Sequence, residues 1–221
     1  MTSFDVHQHL WPEQLVAALR RRSRPPRIDG DELILGEGTF AAGMEAHTLE
    51  ARVGLLDEVG IDTAVVSLQP TLACDGIPEL VAAGQTLFVH PGPVPPPPAG
   101  APDWWSALVD YPAQMQAAYA AWLTHGSPEL SVVFAFLAGG APFQLERLRA
   151  RGGEVPEMAI YFDTSSYGPL ALRLTGEACG SGCLVFGSDA PVMDAHAAVA
   201  AVEAAGVAEV ALRTNAGRLF G

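Results

Sequence analysis

Six short apolar runs spread along the whole chain constrain its fold more than any other feature. They are Phe4–His9, Thr63–Leu68, Thr86–His90, Ser131–Phe136, Ala159–Asp163 and Cys183–Asp189. Most are continuous rather than alternating, rich in Val, Ile and Phe, and bounded by Gly, Pro, Ser or Asp. Strands covered on both faces, as in parallel sheets, carry that pattern. Helical repeats lie between several of the runs, at His47–Val59, Ala113–Leu123, Pro142–Arg151, Leu170–Ala178 and Ala195–Ala205. In the first of these, Leu49, Val53, Leu55 and Leu56 form an apolar stripe that Gly60 ends. Strands alternating with helices predict an α/β protein built on a parallel sheet or barrel.

Two segments depart from the alternation. Arg27–Ile28 and Glu32–Leu35 flank Asp29-Gly30 and predict a small β-hairpin. Residues 91–103, PGPVPPPPAGAPD, form a stiff Pro-rich stretch, suited to a linker or to a long loop over an active-site face. The length of 221 residues fits one domain over 1–221, with the hairpin as an insertion at about 26–37.

Composition removes several classes. Apolar residues make up 49% of the chain and mean hydropathy is +0.23, enough for a core and too much for intrinsic disorder. A net charge of −13 and a pI near 4.7 repel phosphate backbones and anionic membranes, so neither nucleic acid nor membrane is an expected partner. Arg20, Arg21, Arg22, Arg24 and Arg27 are a local exception, expected as a solvated helix end and loop. The opening MTSFDVHQHLWPEQ lacks the pattern of a secretory leader. Val132–Phe143, the longest nearly apolar run, is too short to span a bilayer. Three cysteines, Cys74, Cys179 and Cys183, argue against a disulfide framework and for a cytoplasmic protein. Cys179 and Cys183 have no second pair with which to complete a zinc site.

The chemistry concentrates at strand ends. His7 and His9 close the first run, and the period of two along a strand turns both imidazoles the same way. His90 ends the third run and Asp189 the sixth. In a β/α barrel the carboxyl ends of the strands converge on the active-site mouth. Three imidazoles and one carboxylate suit a single divalent metal ion, Zn²⁺ first, with Mn²⁺, Fe²⁺ and Co²⁺ also compatible. His47, His125 and His196 are expected to be structural or surface residues. Trp11, Trp104, Trp105 and Phe136 are candidates for an aromatic pocket wall, with ordinary packing as the competing reading.

Asp5-Val6-His7-Gln8-His9, Leu87-Phe88-Val89-His90-Pro91, Tyr161-Phe162-Asp163 and Gly187-Ser188-Asp189-Ala190-Pro191 resemble, in order, the successive motifs of the amidohydrolase superfamily. The branch they resemble includes aminocarboxymuconate-semialdehyde decarboxylase and the resorcylate-type decarboxylases. The resemblance implies a TIM-like β/α barrel with a metal held by His7, His9, His90 and Asp189. It also implies a metal-activated water, with Asp189 as general base.

Two departures accompany it. The family usually has a histidine where this chain has Phe136, and phenylalanine can neither polarise a substrate nor transfer a proton. The family also has eight strands where six are found here, the third and fourth being absent around Gln69–Gln85. Either the second and fifth strands pair directly in a contracted barrel, or an open barrel is covered by another subunit; a homo-oligomer is expected. The leading functional expectation is a metal-dependent hydrolase acting on a small organic acid, lactone or amide. The alternatives are a non-oxidative decarboxylase of an aromatic or muconate-type acid, and a catalytically impaired paralogue that acts as a binding protein.

Overall fold

The computed structural model describes residues 1–67 and 86–220. The expected short helix at Ile77–Ala83, Cys74 and the connection Gln69–Gln85 lie outside the described residues. All six predicted strands form. They are β1 (Phe4–Gln8), β5 (Thr63–Val66), β6 (Leu87–Val89), β7 (Val132–Phe134), β8 (Ile160–Asp163) and β9 (Leu184–Val185), with β2 (Arg27–Asp29), β3 (Glu32–Ile34) and β4 (Thr39–Ala41) in a separate small sheet.

The main strands are parallel. β6, β7, β8 and β9 pair in that order, and β1 pairs with β5. The backbone beyond β9 joins the two groups. Val6 N donates to Phe186 O (2.9 Å), Asp189 N to His7 O (2.8 Å) and His9 N to Ala190 O (2.9 Å). The spatial order is therefore β5-β1-β9-β8-β7-β6. Among the described residues β5 pairs only with β1 and β6 only with β7, so the sheet is an arc open at the place where two strands were expected to be missing. Direct pairing of the second and fifth strands does not occur among these residues.

Side chains on β7 and β9 alternate between two cores. Val132, Phe134 and Leu184 pack under the helices with Phe162, Phe186, Leu172 and Val202. Val133 and Val185 join Phe4, Val6 and Ala216 in a second cluster. This double burial is why these strands read as continuous apolar runs.

The helices are α1 (Glu13–Arg20), α2 (Leu49–Val59), α3 (Tyr111–His125), α4 (Leu145–Ala150), α5 (Pro169–Cys179), α6 (Ala195–Ala205) and α7 (Ala216–Phe220). Thr48 caps α2 by accepting from Ala51 N (3.2 Å), and Gly60 ends it in the left-handed conformation. Asp194 caps α6 in the same way through His196 N (2.9 Å). Among the described residues no single helix is long and apolar enough to cross a membrane.

The predicted hairpin is β2–β3, turning through Gly30-Asp31. It gains a third strand, β4, that the sequence does not announce, because Thr39-Phe40-Ala41 is short and exposed throughout. Together with α1 this sheet makes its own apolar cluster of Trp11, Val16, Leu19, Ile28, Leu33 and Ala42. That cluster stands beside the exit of β1 and walls the cavity described next.

Candidate metal centre

His7 and His9 are both fully buried at the end of β1. Their Nε2 atoms lie 3.2 Å apart, and Asp189 Oδ1 lies 3.4 Å from the first and 3.3 Å from the second. The His90 ring is 5.1 Å, centroid to centroid, from each of the other two imidazoles. One donor atom from each of the four residues falls within 4.8 Å of all the others. Bonds of about 2.0–2.1 Å to a tetrahedral ion imply ligand–ligand edges of roughly 3.3–3.4 Å. The triangle of His7, His9 and Asp189 has that spacing.

Local backbone geometry brings the four together. Asp189 adopts a positive φ of 59°, an unusual conformation for a residue with a side chain, at the sharp exit from the β9 segment. Two residues earlier, a Cβ on Gly187 would stand 2.7 Å from His7 Cβ and 2.9 Å from the Asp163 carboxyl group. Only glycine allows that approach. Beneath it, the buried Asp5 carboxylate accepts from His7 N (3.1 Å), Ser188 N (3.0 Å) and Gln8 Nε2 (2.8 Å), which binds the two ligand-bearing segments to each other. Burial pushes the Asp5 pKa up against these hydrogen bonds.

Each imidazole has its other nitrogen occupied by an oxygen. His7 Nδ1 meets Asp163 Oδ2 at 2.5 Å, His9 Nδ1 meets the Ser67 carbonyl at 3.1 Å, and His90 Nδ1 meets the Pro91 carbonyl at 2.9 Å. A carbonyl or carboxylate can only accept, so in the neutral imidazoles each Nδ1 carries the proton and each Nε2 presents a lone pair. Asp163 is itself fixed, its Oδ1 accepting from Ser165 N (2.8 Å), Ser165 Oγ (2.6 Å) and Phe136 N (3.0 Å). Asp189 Oδ1 is buried without a hydrogen-bond donor among the described residues. Converging lone pairs and an unsatisfied carboxylate oxygen fit a bound divalent cation.

Burial pushes the His7 imidazole down, but the Asp163 and Asp189 carboxylates outweigh it and hold its pKa at about 9, so a cation at His7 Nε2 would displace a proton. Burial, reinforced by His7 and His9, pushes His90 down to about 4 and leaves it neutral. Burial opposes ionisation of Asp189, yet the three imidazoles keep its pKa below the usual carboxylate value.

The centre opens into a cavity of about 760 Å³ lined by His9, His90 and Asp189, by Trp11 and Phe136, and by Leu33, Leu35 and Phe40 of the small sheet. Trp11 and Phe136 both line this cavity. Trp104 and Trp105 do not line the cavity, and Trp104 is 55% exposed. His125 and His196 are exposed, as expected.

Four residues in or behind the site were not assigned a part there from sequence. Asp163 was visible only as a motif residue, without its role. His47, expected as a helix start, is buried in a 3-10 turn (Met44–His47) and stacks on Trp11 at 4.0 Å and 14°. Tyr111 lines the cavity and donates to Glu37 Oε1 (2.7 Å). Arg52 is buried, its Nη2 donating to the carbonyls of His9 and Ala46, both at 3.1 Å. A capping box or apolar stripe announces a helix, but nothing in sequence announces such contacts.

No family model and no curated protein matches the chain. Solved structures do. IDCase from Metarhizium anisopliae superposes with a TM-score of 0.80 at 19% identity, covering 99% of this chain and 96% of that one. A protein described as amidohydrolase II gives a TM-score of 0.72 at 15% identity, covering 99% of each chain. The chain shares the fold of these solved structures. A 5-carboxyvanillate decarboxylase from Novosphingobium aromaticivorans, solved with bound manganese and a nitrobenzoic acid, gives 0.64 at 12% identity over 99% of this chain and 97% of that one. At these identities the likeness is one of architecture, and the α/β scaffold expected from the sequence is the observed one.

Proposed function

We propose that the protein is a metal-dependent enzyme acting on a small organic acid, with one divalent ion held by His7, His9, His90 and Asp189. The observation that carries this reading is the convergence of three Nε2 lone pairs, each fixed by an oxygen on Nδ1, upon an unpaired buried carboxylate oxygen. Zn²⁺ fits this donor set, and so does Mn²⁺, the ion named for the Novosphingobium decarboxylase. When bound, the ion supplies Lewis-acid polarisation and a water activated near neutral pH.

Among reactions of this type, loss of carbon dioxide is favoured over hydrolysis. The cavity wall is largely apolar, from Leu33, Leu35, Phe40, Trp11 and Phe136. A carboxylate held against such a wall loses solvation that its neutral product does not need. In this reading Asp163 keeps His7 in register, Asp189 places a carboxylate at the reacting end, and Phe136 helps exclude water. Decarboxylation replaces the C–CO₂ bond by a C–H bond, so one proton must reach the substrate carbon, and Asp189, once protonated from solvent, is the carboxyl group on the cavity that would deliver it. Phe136 supplies none, and that observation favours hydrolysis of a lactone or amide as the second reading.

Metal analysis together with a substrate panel tests both. We expect about one ion per chain in the native protein and none after H7A/H9A. Carbon dioxide release from aromatic acids supports the first reading and lactone or amide cleavage the second. One bound ion with neither activity leaves a binding protein. Full metal content in the double variant removes the ligand assignment.

A further inference from the structure

Two thiols at the end of α5 take no part in the metal centre. Cys179 is the last residue of α5 and is half-buried, and Cys183 ends the 3-10 turn Ser181–Cys183 and is 9% exposed. Both are free, and both pack in the main core. The backbone brings them together. Gly180, at φ 83° and ψ 142°, adopts a conformation open essentially to glycine alone and reverses the chain at the helix end. Cys183 N donates to Gly180 O (3.2 Å) and closes the turn. The returning chain lies against α5: a Cβ on Gly176 would stand 4.0 Å from Ser181 Cα and 3.9 Å from Leu184 Cδ1. Cys179 is one helical turn beyond Gly176 on the same face, and Cys183 lies between Ser181 and Leu184 on the strand of chain that covers that face. Asn215 Nδ2 pins this returning stretch at both ends, donating to Ser181 O (3.0 Å) and Leu184 O (2.7 Å).

The two thiols are not equivalent. Cys179 is partly open to solvent, and the adjacent Cys183 thiol, followed by the Arg149 guanidinium, lowers its pKa against burial. The adjacent Cys179 thiol and burial push Cys183 up. The thiolate is the nucleophile in sulfur exchange, so Cys179 is the thiol that a dissolved reagent meets first, and Cys183 is shielded behind it. Cys74, the third cysteine, lies outside the described residues.

We propose that Cys179 and Cys183 form a reversible redox dithiol, in which Cys179 attacks a low-molecular-weight disulfide and Cys183 resolves the product. In the first step the Cys179 thiolate bonds to one sulfur of the small disulfide RSSR, the S–S bond breaks, and RS⁻ leaves with the electron pair and takes a proton from solvent. In the second step Cys183 gives its proton to solvent, its sulfur bonds to that of Cys179, and the other RS⁻ leaves and is protonated in turn. Two protein thiols and one RSSR thus become one protein disulfide and two RSH, the protein losing the two electrons that the small disulfide gains. The bridge spans Gly180-Ser181-Gly182. A Cβ at Gly180 or Gly182 would meet nothing within 4 Å, so the turn has room to settle at the Cα separation of roughly 4.4–6.8 Å that a disulfide needs. Cys183 stands at the entry to β9 and Asp189 beyond its exit, so the proposal does not depend on the metal-centre reading.

Mass spectrometry of the full chain tests this, after incubation of the folded protein with glutathione disulfide, alkylation of the remaining thiols and cleavage after arginine. Cys179 and Cys183 share the fragment 174–213, and Cys74 lies in the fragment 53–147. We expect fragment 174–213 to lose about two mass units, its two thiol hydrogens, to take up no alkylating reagent, and to regain both hydrogens on reduction. Cys183→Ser should instead hold glutathione on Cys179 as a lasting mixed disulfide, and Cys179→Ser should leave Cys183 unreacted in the folded chain. A glutathione adduct that persists on wild-type Cys179 overturns the proposal. So does a bridge between 174–213 and 53–147, or a pair of thiols that stays reduced. The wild-type masses decide the matter even if a variant misfolds.

Discussion

At the residue scale, Asp163 is the most informative side chain, because it holds His7, a proposed ligand, without being one itself. Its contact with His7 Nδ1 fixes that ring, whereas His9 and His90 are fixed by backbone carbonyls that no substitution removes. Asp163→Asn keeps the shape but loses the charge and weakens the lock. We expect metal affinity to fall about 10–100-fold, read by competition with a chelator. A second residue-scale expectation concerns acid. The folded-state pKa of His47 is about 4, against an unperturbed value of 6.5. Its neutral form is the one the fold accommodates, so its contribution to stability is full above about 6.5 and is lost as pH falls toward 4. The melting temperature of the metal-free protein should drop over that window less steeply in His47→Gln than in wild type. The four residues proposed as ligands could be picked out in sequence because strand periodicity and strand ends are local properties. Asp163 and His47 act through partners 156 and 36 positions away, and one sequence carries no signal for such pairings.

At the scale of elements, the segment after β7 departs furthest from expectation. Phe136, Leu137, Ala138, Gly139 and Gly140 all have positive φ, between 32° and 81°, a complete left-handed turn of which three members carry side chains. FLAGG reads as an ordinary small apolar stretch, and the handedness comes from packing. Gly139 lies so close to Pro112 that a Cβ would stand 2.5 Å from its carbonyl oxygen, and Phe136 N is drawn to Asp163. A left-handed residue with a side chain costs roughly 1–2 kcal/mol. Ala138→Gly removes that strain, offsetting the buried methyl and backbone entropy it gives up, and should be within about 0.5 kcal/mol of neutral. Ala200→Gly, on the exposed face of α6, should destabilise by about 1 kcal/mol. Denaturant unfolding of the two variants makes the comparison. Strand and helix positions were legible where burial or caps were strong, as in α6, whose Ala195–Ala205 range is the one predicted. β4 and this turn were not, because neither has a local pattern to read.

At the scale of the whole molecule, the arc has two flanks, β5 and β6, with no strand beyond them among the described residues. Val66 on β5 is 48% exposed. Unpaired strand edges with apolar side chains invite pairing with another chain. We therefore expect a homo-oligomer in light scattering at micromolar concentration, and a stable monomer at that concentration would remove the expectation. The middle of the arc has a different consequence. β1 and the residue after it carry two of the four proposed ligands, the strand lies between β5 and the segment after β9, and the bond from Ser188 N to Asp5 spans 183 positions. During synthesis at the ribosome, the first strand to emerge must wait for nearly the whole chain before its second flank is filled. Assembly is then governed by loop closure over most of the chain, a slow step during which the unfilled flank of that strand is open to other partners.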